Sequence, residues 1–295
     1  MRDTFSTFHP GINFLLFAAV MGVAVFSMHP VFLATALLTG ALYYRRLAGR
    51  KARRFLLGMM PVFLISSAVN PLFSHQGMSL LFYMWDGNPV TLESIAYGVA
   101  SGGMLVGMLL WFACLNAVMT SDKWIYLFGR MLPALSLVLS MTLRCVPCYR
   151  RQMGRIADAQ KCVGRDVSSG NAAQRAGHGL KILSILATWA RENSVETADY
   201  MKSRGDGLRG RTNYSIYRFD TRDRMLAGAL CLAFLWTAVC LLSGRVRMLY
   251  YPLLEMNALT PLSLSAYAAY LALCLTPLLL DLWEDVQWLY IRSKI

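Results

Sequence analysis

Met225 to Ser243 reads MLAGALCLAFLWTAVCLLS, without a single charged side chain. A bilayer core asks for roughly 20 mostly apolar residues per spanning helix, with about 17 as the lower limit, and this stretch meets that demand. Moving outward from it, Leu262 to Leu282 repeats the pattern despite Pro277, and Ile95 to Met119 is long enough to span with tilt. Ile12 to Met28 and Phe55 to Phe73 also qualify, since Pro61 and Pro71 are tolerable inside or at the end of a membrane helix. Val31 to Tyr44 is the shortest candidate and is expected to pair with Ile12 to Met28 as a tight hairpin around His29 and Pro30. Fold class follows: all-α, a polytopic membrane helix bundle of about six transmembrane helices.

Over the 295 residues, 56% are hydrophobic and 15% charged, with mean hydropathy +0.44, a balance more apolar than that of ordinary soluble domains. Met1 to Pro10 carries one Arg and one Asp and leads into no small-residue cleavage pattern, so the first helix is expected to stay.

Lys and Arg set the expected orientation. Arg45, Arg46, Arg50, Lys51, Arg53 and Arg54 form a basic loop that belongs in the cytoplasm, whereas Ser74 to Ser94 has neither residue and belongs outside. Met119 to Arg224 is basic again, as are Arg292 and Lys294 near the end. Six crossings with both termini cytoplasmic satisfy nearly every charge; Arg245 and Arg247, in a short external turn, are the exception. The expected organisation is N-terminal transmembrane helices over 1–120, a cytoplasmic section over 121–224 and C-terminal transmembrane helices over 225–295.

The net charge of +13 is accounted for by anionic headgroups beside basic juxtamembrane segments. A nucleic-acid partner is not expected, because no soluble basic module with a helix or sheet reader is present. All seven cysteines fall in spans or on the cytoplasmic side, which disfavours structural disulfides. Cys145 and Cys148 form a C-x-x-C with no second ligand pair, and read as reduced thiols on a buried helix rather than a zinc site.

Within the middle section Pro133 to Leu143 is apolar over only half a crossing, as for a helix along the membrane surface or beneath the bundle. Arg144, Arg150, Arg151 and Arg155 follow it. Two segments then resemble each other: Ala157-Asp158-Ala159-Gln160-Lys161-Cys162-Val163-Gly164 and Ala198-Asp199-Tyr200-Met201-Lys202-Ser203-Arg204-Gly205. They align without a gap. The second helix is expected over about Leu180 to Arg204, with Gly205 as a left-handed C-terminal cap. Ala190, Ser194 and Ala198 make a strip of small side chains on one face, suited to close packing of another helix.

The segment from Ala190 to Ala198 leading into Met201-Lys202-Ser203-Arg204-Gly205 resembles the signature of the transmembrane T component of energy-coupling factor transporters, bacterial uptake systems for vitamins and metal ions. In that family two cytoplasmic coupling helices each end in a small-Arg-Gly triplet; the positions matching them here are Cys162-Val163-Gly164 and Ser203-Arg204-Gly205. Weaker likenesses lie at Asn70-Pro71-Leu72-Phe73, Thr120-Ser121, and Arg144 with Pro147, so the resemblance runs from about Asn70 to Arg211. It implies no catalytic residue, no metal and no cofactor of the chain's own, ATP being bound by partners. Those partners are two ATP-binding-cassette ATPase subunits and a small substrate-binding membrane protein, in the bacterial plasma membrane. Val163 departs from the pattern, and a contact without the usual charge is expected there; Arg165, two positions on, would face another side of a helix.

Two readings of other classes stay open beside this one. A membrane-embedded lipid-modifying enzyme would need gathered carboxylates for a metal, but Asp86, Asp206 and Asp281 are scattered, as are His9, His29, His75 and His178. A stand-alone secondary transporter would need ionisable groups at mid-membrane depth, whereas Asn116 and Asp281 lie toward the ends of their expected spans.

Overall fold

The computed structural model describes residues 4–74, 77–83, 89–129, 133–166, 168, 171–205, 217, 219–257 and 260–294. His75, Asp86, Asp206 and Arg211, named above, lie outside these. A short 3-10 turn, Phe5–Thr7, precedes α1 (Pro10–Phe26), α2 (Pro30–Ala48) and α3 (Arg50–Phe73). Strands β1 (Leu80–Tyr83) and β2 (Pro89–Thr91) pair antiparallel ahead of α4 (Leu92–Val118). There follow α5 (Ser121–Gly129), α6 (Pro133–Cys162), α7 (Ala172–Ser203) and α8 (Thr221–Leu242). The small antiparallel pair β3 (Met248–Leu249) and β4 (Glu255–Met256) leads to α9 (Pro261–Lys294).

The architecture is an all-α membrane helix bundle. Helices α3, α4, α8 and α9 are each long and apolar enough to cross a bilayer, and α1 is a shorter apolar helix. The chain divides into two compact units, one from Met1–Trp124 with Tyr217–Ile295, the other from Ile125–Ile216.

In the first unit α1 and α2 start alike. His9 and His29 each precede a proline at the first helical position, and each Nδ1 accepts the backbone N–H two residues on, from Gly11 (3.2 Å) and Val31 (3.3 Å). The proline loses nothing there, because its missing N–H would have had no intrahelical partner. The expected tight pairing of the first two helices is not what forms: α2 packs chiefly on α4 and α9. The reason lies in the side chains. Trp111 of α4 is buried and donates its indole N–H to the carbonyl of Ala36 (2.9 Å), and Tyr270 of α9 stands edge-on to Phe32. Gly40 makes room, since a Cβ there would lie 3.0 Å from Leu110 and Trp111.

Helix α3 meets α4 by close backbone approach. A Cβ on Gly98 would stand 2.4 Å from the carbonyl oxygen of Ser67, and one on Gly102 would be 3.2 Å from that of Phe63. Small residues four apart allow such contact in lipid, where burial of apolar surface supplies no drive between helices. Asn70 adds a hydrogen bond from its amide to Ser101 Oγ (3.0 Å).

A buried polar cluster lies where the chain enters α5. Lys123 donates to the carbonyls of Ser6 (2.6 Å) and Val118 (2.8 Å), and Asn13, with its amide oxygen turned toward Lys123, donates to the carbonyl of Phe5 (2.9 Å). Asp281 accepts the N–H of Thr4 (3.0 Å). Thr4 also bonds Glu284 through its hydroxyl. Asp281 therefore does not sit at a helix end, as its place in the apolar run suggests. Helix α9 continues to Lys294, and Asp281 is buried along it, satisfied by the N-terminal turn.

Candidate coupling site

The second unit is built on α6 and α7, of 30 and 32 residues, each therefore about 45 Å long at 1.5 Å per residue. Helix α7 starts at Ala172, eight residues before the expected Leu180, because Asn171 and Gln174 form a capping box, with Asn171 N–H donating to Gln174 Oε1 (3.1 Å). The two helices touch over a short stretch. Ile156 of α6 packs against Ile182 and Leu186 of α7, flanked by Ala157 and Trp189, and Tyr149 stands edge-on to Trp189 with centroids 5.8 Å apart. Because Tyr149 meets Trp189 while Ile156 meets Ile182, the helices run antiparallel through this contact. Their C-terminal ends consequently point to opposite sides of it.

Both ends close in the same way. In α6 the N–H of Gly164 donates to the carbonyl of Lys161 (3.0 Å) and that of Val163 to Gln160 (3.2 Å), with Gly164 at φ +79°. In α7 the N–H of Gly205 donates to Lys202 (3.0 Å) and that of Arg204 to Met201 (3.1 Å), with Gly205 at φ +81°. Left-handed backbone at this position favours glycine, since any Cβ would crowd the following peptide. The internal repeat is thus a repeat of geometry: Cys162 and Ser203 are the last helical residues, Val163 and Arg204 hold the equivalent cap position, and Gly164 and Gly205 make the turn.

Val163 is 68% exposed, and Arg204 is exposed as well. Arg165 does not occupy another face of α6. The helix stops at Cys162, and Arg165 follows the left-handed turn as an exposed residue of the loop. Beside it Asp166 accepts the N–H of Ser168 (3.0 Å), which holds its carboxyl below the usual carboxylate range, with Lys161 at 3.6 Å assisting. This pair is open to solvent and contributes little to stability.

Of the small-residue strip, Ala190 is half-buried next to Trp189, while Ser194 and Ala198 are exposed. The contacts of α6 with Ile182, Leu186 and Trp189 precede this strip along α7. Cys145 and Cys148 are not on a buried helix: both thiols are half-buried on a helix whose Leu135, Val138 and Val146 are each more than half exposed. Among the described residues no group of three or more His, Cys, Asp or Glu could hold a metal ion. The residues that sequence reasoning passed over are Asn13 and Lys123, whose signal was a lone amide inside an apolar run and a lone cation between Val118 and Trp124.

A polytopic α-helical membrane protein carrying a second unit of two long, glycine-capped helices is the class that this fold defines. No family model matches the chain. It is similar to the energy-coupling factor transporter transmembrane protein EcfT of Staphylococcus aureus, with 26% identity over 71% of this chain and 82% of that protein. The EcfT protein of Lactobacillus helveticus is 25% identical over 59% of this chain and 68% of its own length. That of Lacticaseibacillus paracasei is 35% identical over 32% of this chain and 37% of its own. The similarity to the transmembrane T component of energy-coupling factor transporters thus covers much of the chain, and these relatives support its assignment as such a component.

Proposed function

We propose that the chain transmits ATP-driven motion of two ATP-binding-cassette ATPase subunits to a separate substrate-binding membrane protein, for uptake of a vitamin or metal ion across the bacterial plasma membrane. It performs no catalysis itself. The observation that carries this reading is the pair of matched helix ends, each presenting one exposed side chain at the cap, on opposite sides of a small contact. Each end suits one ATPase groove. Arg204 offers a planar fork of donors to groove carboxylates, and Val163 offers an apolar contact, so the two interfaces are unequal.

The exposed apolar residues of α6 and α7, among them Leu180, Val195 and Tyr200, together with Ala190, Ser194 and Ala198, supply surface for the substrate-binding partner. A stand-alone transporter is less well supported: the buried charges Lys123 and Asp281 are engaged by the backbone of Thr4, Ser6 and Val118, which makes a latch. The test is affinity purification of the tagged chain from its own membranes in mild detergent, for wild type and Arg204→Glu. Recovery of two ATPases and a small membrane protein with wild type, and loss of the ATPases with the variant, is the expected result. A chain that purifies alone in both cases would overturn the proposal.

A further inference from the structure

A cavity of about 820 Å³ opens in the first unit at the end where α1 and α8 finish. Gly22 and Phe26 of α1, Tyr97 of α4, Leu242 of α8, and Arg247 and Tyr251 of the following hairpin line it. Three features bear on its occupant. Its walls are mostly apolar, and Phe26 and Leu242 are 87% and 88% exposed, as suits side chains that face hydrocarbon. Among its lining residues Tyr97 stands 5.5 Å from Tyr250 and 5.4 Å from Tyr251, centroid to centroid, and tyrosines concentrate at the membrane–water interface. Lastly, residues 243–257 carry Arg245 and Arg247 against one carboxylate, Glu255. Both arginines are exposed, and neither forms an ion pair among the described residues.

These two cations are the ones that the distribution of positive charge leaves unexplained. An apolar chamber lined by tyrosines of the interfacial kind and by a guanidinium matches one chemistry. We propose that the cavity binds a membrane phospholipid with an anionic headgroup, its acyl chain among Gly22, Phe26 and Leu242 and its phosphate against Arg247. A guanidinium fork matches phosphate oxygens, and the surplus cation favours a headgroup of net negative charge over a zwitterionic one. The site belongs to the bundle alone and does not depend on the coupling reading.

Gly22 supplies a clean means of closing it, because a Cβ there meets nothing within 4 Å; Gly22→Leu fills the chamber while adding a better helix former. The protein with its co-purifying partners would be exchanged into bicelles of phosphatidylglycerol or phosphatidylcholine of identical chains, then returned to detergent, and the retained phospholipid counted by native mass spectrometry. Wild type is expected to retain about fivefold more phosphatidylglycerol, the effect of one cation beside an anionic headgroup. Arg247→Gln is expected to abolish that preference, and Gly22→Leu to lower retention of both lipids, with thermal midpoints and co-purifying partners unchanged. Equal retention of the two lipids by wild type, or a preference that survives Arg247→Gln, or retention unaltered by Gly22→Leu, would overturn the proposal.

Discussion

The two units of this chain spend their apolar residues differently. In the bundle Trp111, Tyr43, Tyr270 and Phe17 are fully buried, and buried polar groups such as Lys123 and Asp281 find partners. In the unit of α6 and α7 the buried core among the described residues comes to Ile156, Ile182 and Leu186, while much longer apolar stretches stay exposed. A helix pair that buries so little gains little from its own packing, because stabilisation scales with apolar area removed from water. The bundle is therefore organised from within, whereas the helix pair leaves most of its apolar surface exposed.

This contrast can be broken or sharpened by substitution. The largest effect is expected in the bundle: Trp111→Ala should cost about 3 to 5 kcal/mol, the range for emptying a large core site, and should lower the thermal midpoint of the detergent-solubilised protein. An unchanged midpoint would mean that the bundle is not held from its centre. On the other side, Arg204→Glu should leave that midpoint alone and weaken ATPase association by about 2 to 5 kcal/mol, as for a broken interfacial charge pair. A variant that binds the ATPases at wild-type affinity would remove Arg204 from the interface.

A smaller loss, about 1 to 3 kcal/mol, is expected for Lys123→Met, which leaves the buried carbonyls of Ser6 and Val118 without this donor. Faster proteolysis of the N-terminal segment would register it; resistance equal to wild type would show that the latch is idle. Smallest is a pH effect. Burial pushes His29 below its ordinary 6.5, and the neutral ring accepts the N–H of Val31. The folded state then binds fewer protons than the unfolded one, so stability is complete above 6.5 and declines as the pH falls below it. A gradual decline, smaller than the losses above, is expected in the thermal midpoint as the pH falls from 6.5 toward 5.5. His29→Asn, which retains an acceptor, should flatten that dependence, and a slope that persists would place its origin elsewhere.

Much of this architecture can be read along the chain. Each of the six apolar stretches coincides with a helix, three of them overrunning its C-terminal end by one or two residues, since bilayer thickness and hydrogen-bond satisfaction leave an apolar run of that length few alternatives. Boundaries were harder to read where local chemistry governs them. The capping box at Asn171 brings α7 forward by eight residues, and α9 runs on past Leu282 because Trp283 to Lys294 stays helical after hydropathy falls. The two triplets that end in glycine are legible as a repeat, because a helix stop at glycine is a local event.

Sequence by itself determined that this is a helical membrane protein with two similar helix ends in its middle section, for those features depend on composition, spacing and the φ freedom of glycine. Only the tertiary structure decided that α2 packs on α4 and α9, that Lys123 and Asp281 secure the N-terminal turn, and that the small-residue strip of α7 lies beyond its contact with α6. Those outcomes join residues far apart in the chain, through backbone approach at Gly98 and Gly40 and through donors and acceptors that no local pattern pairs.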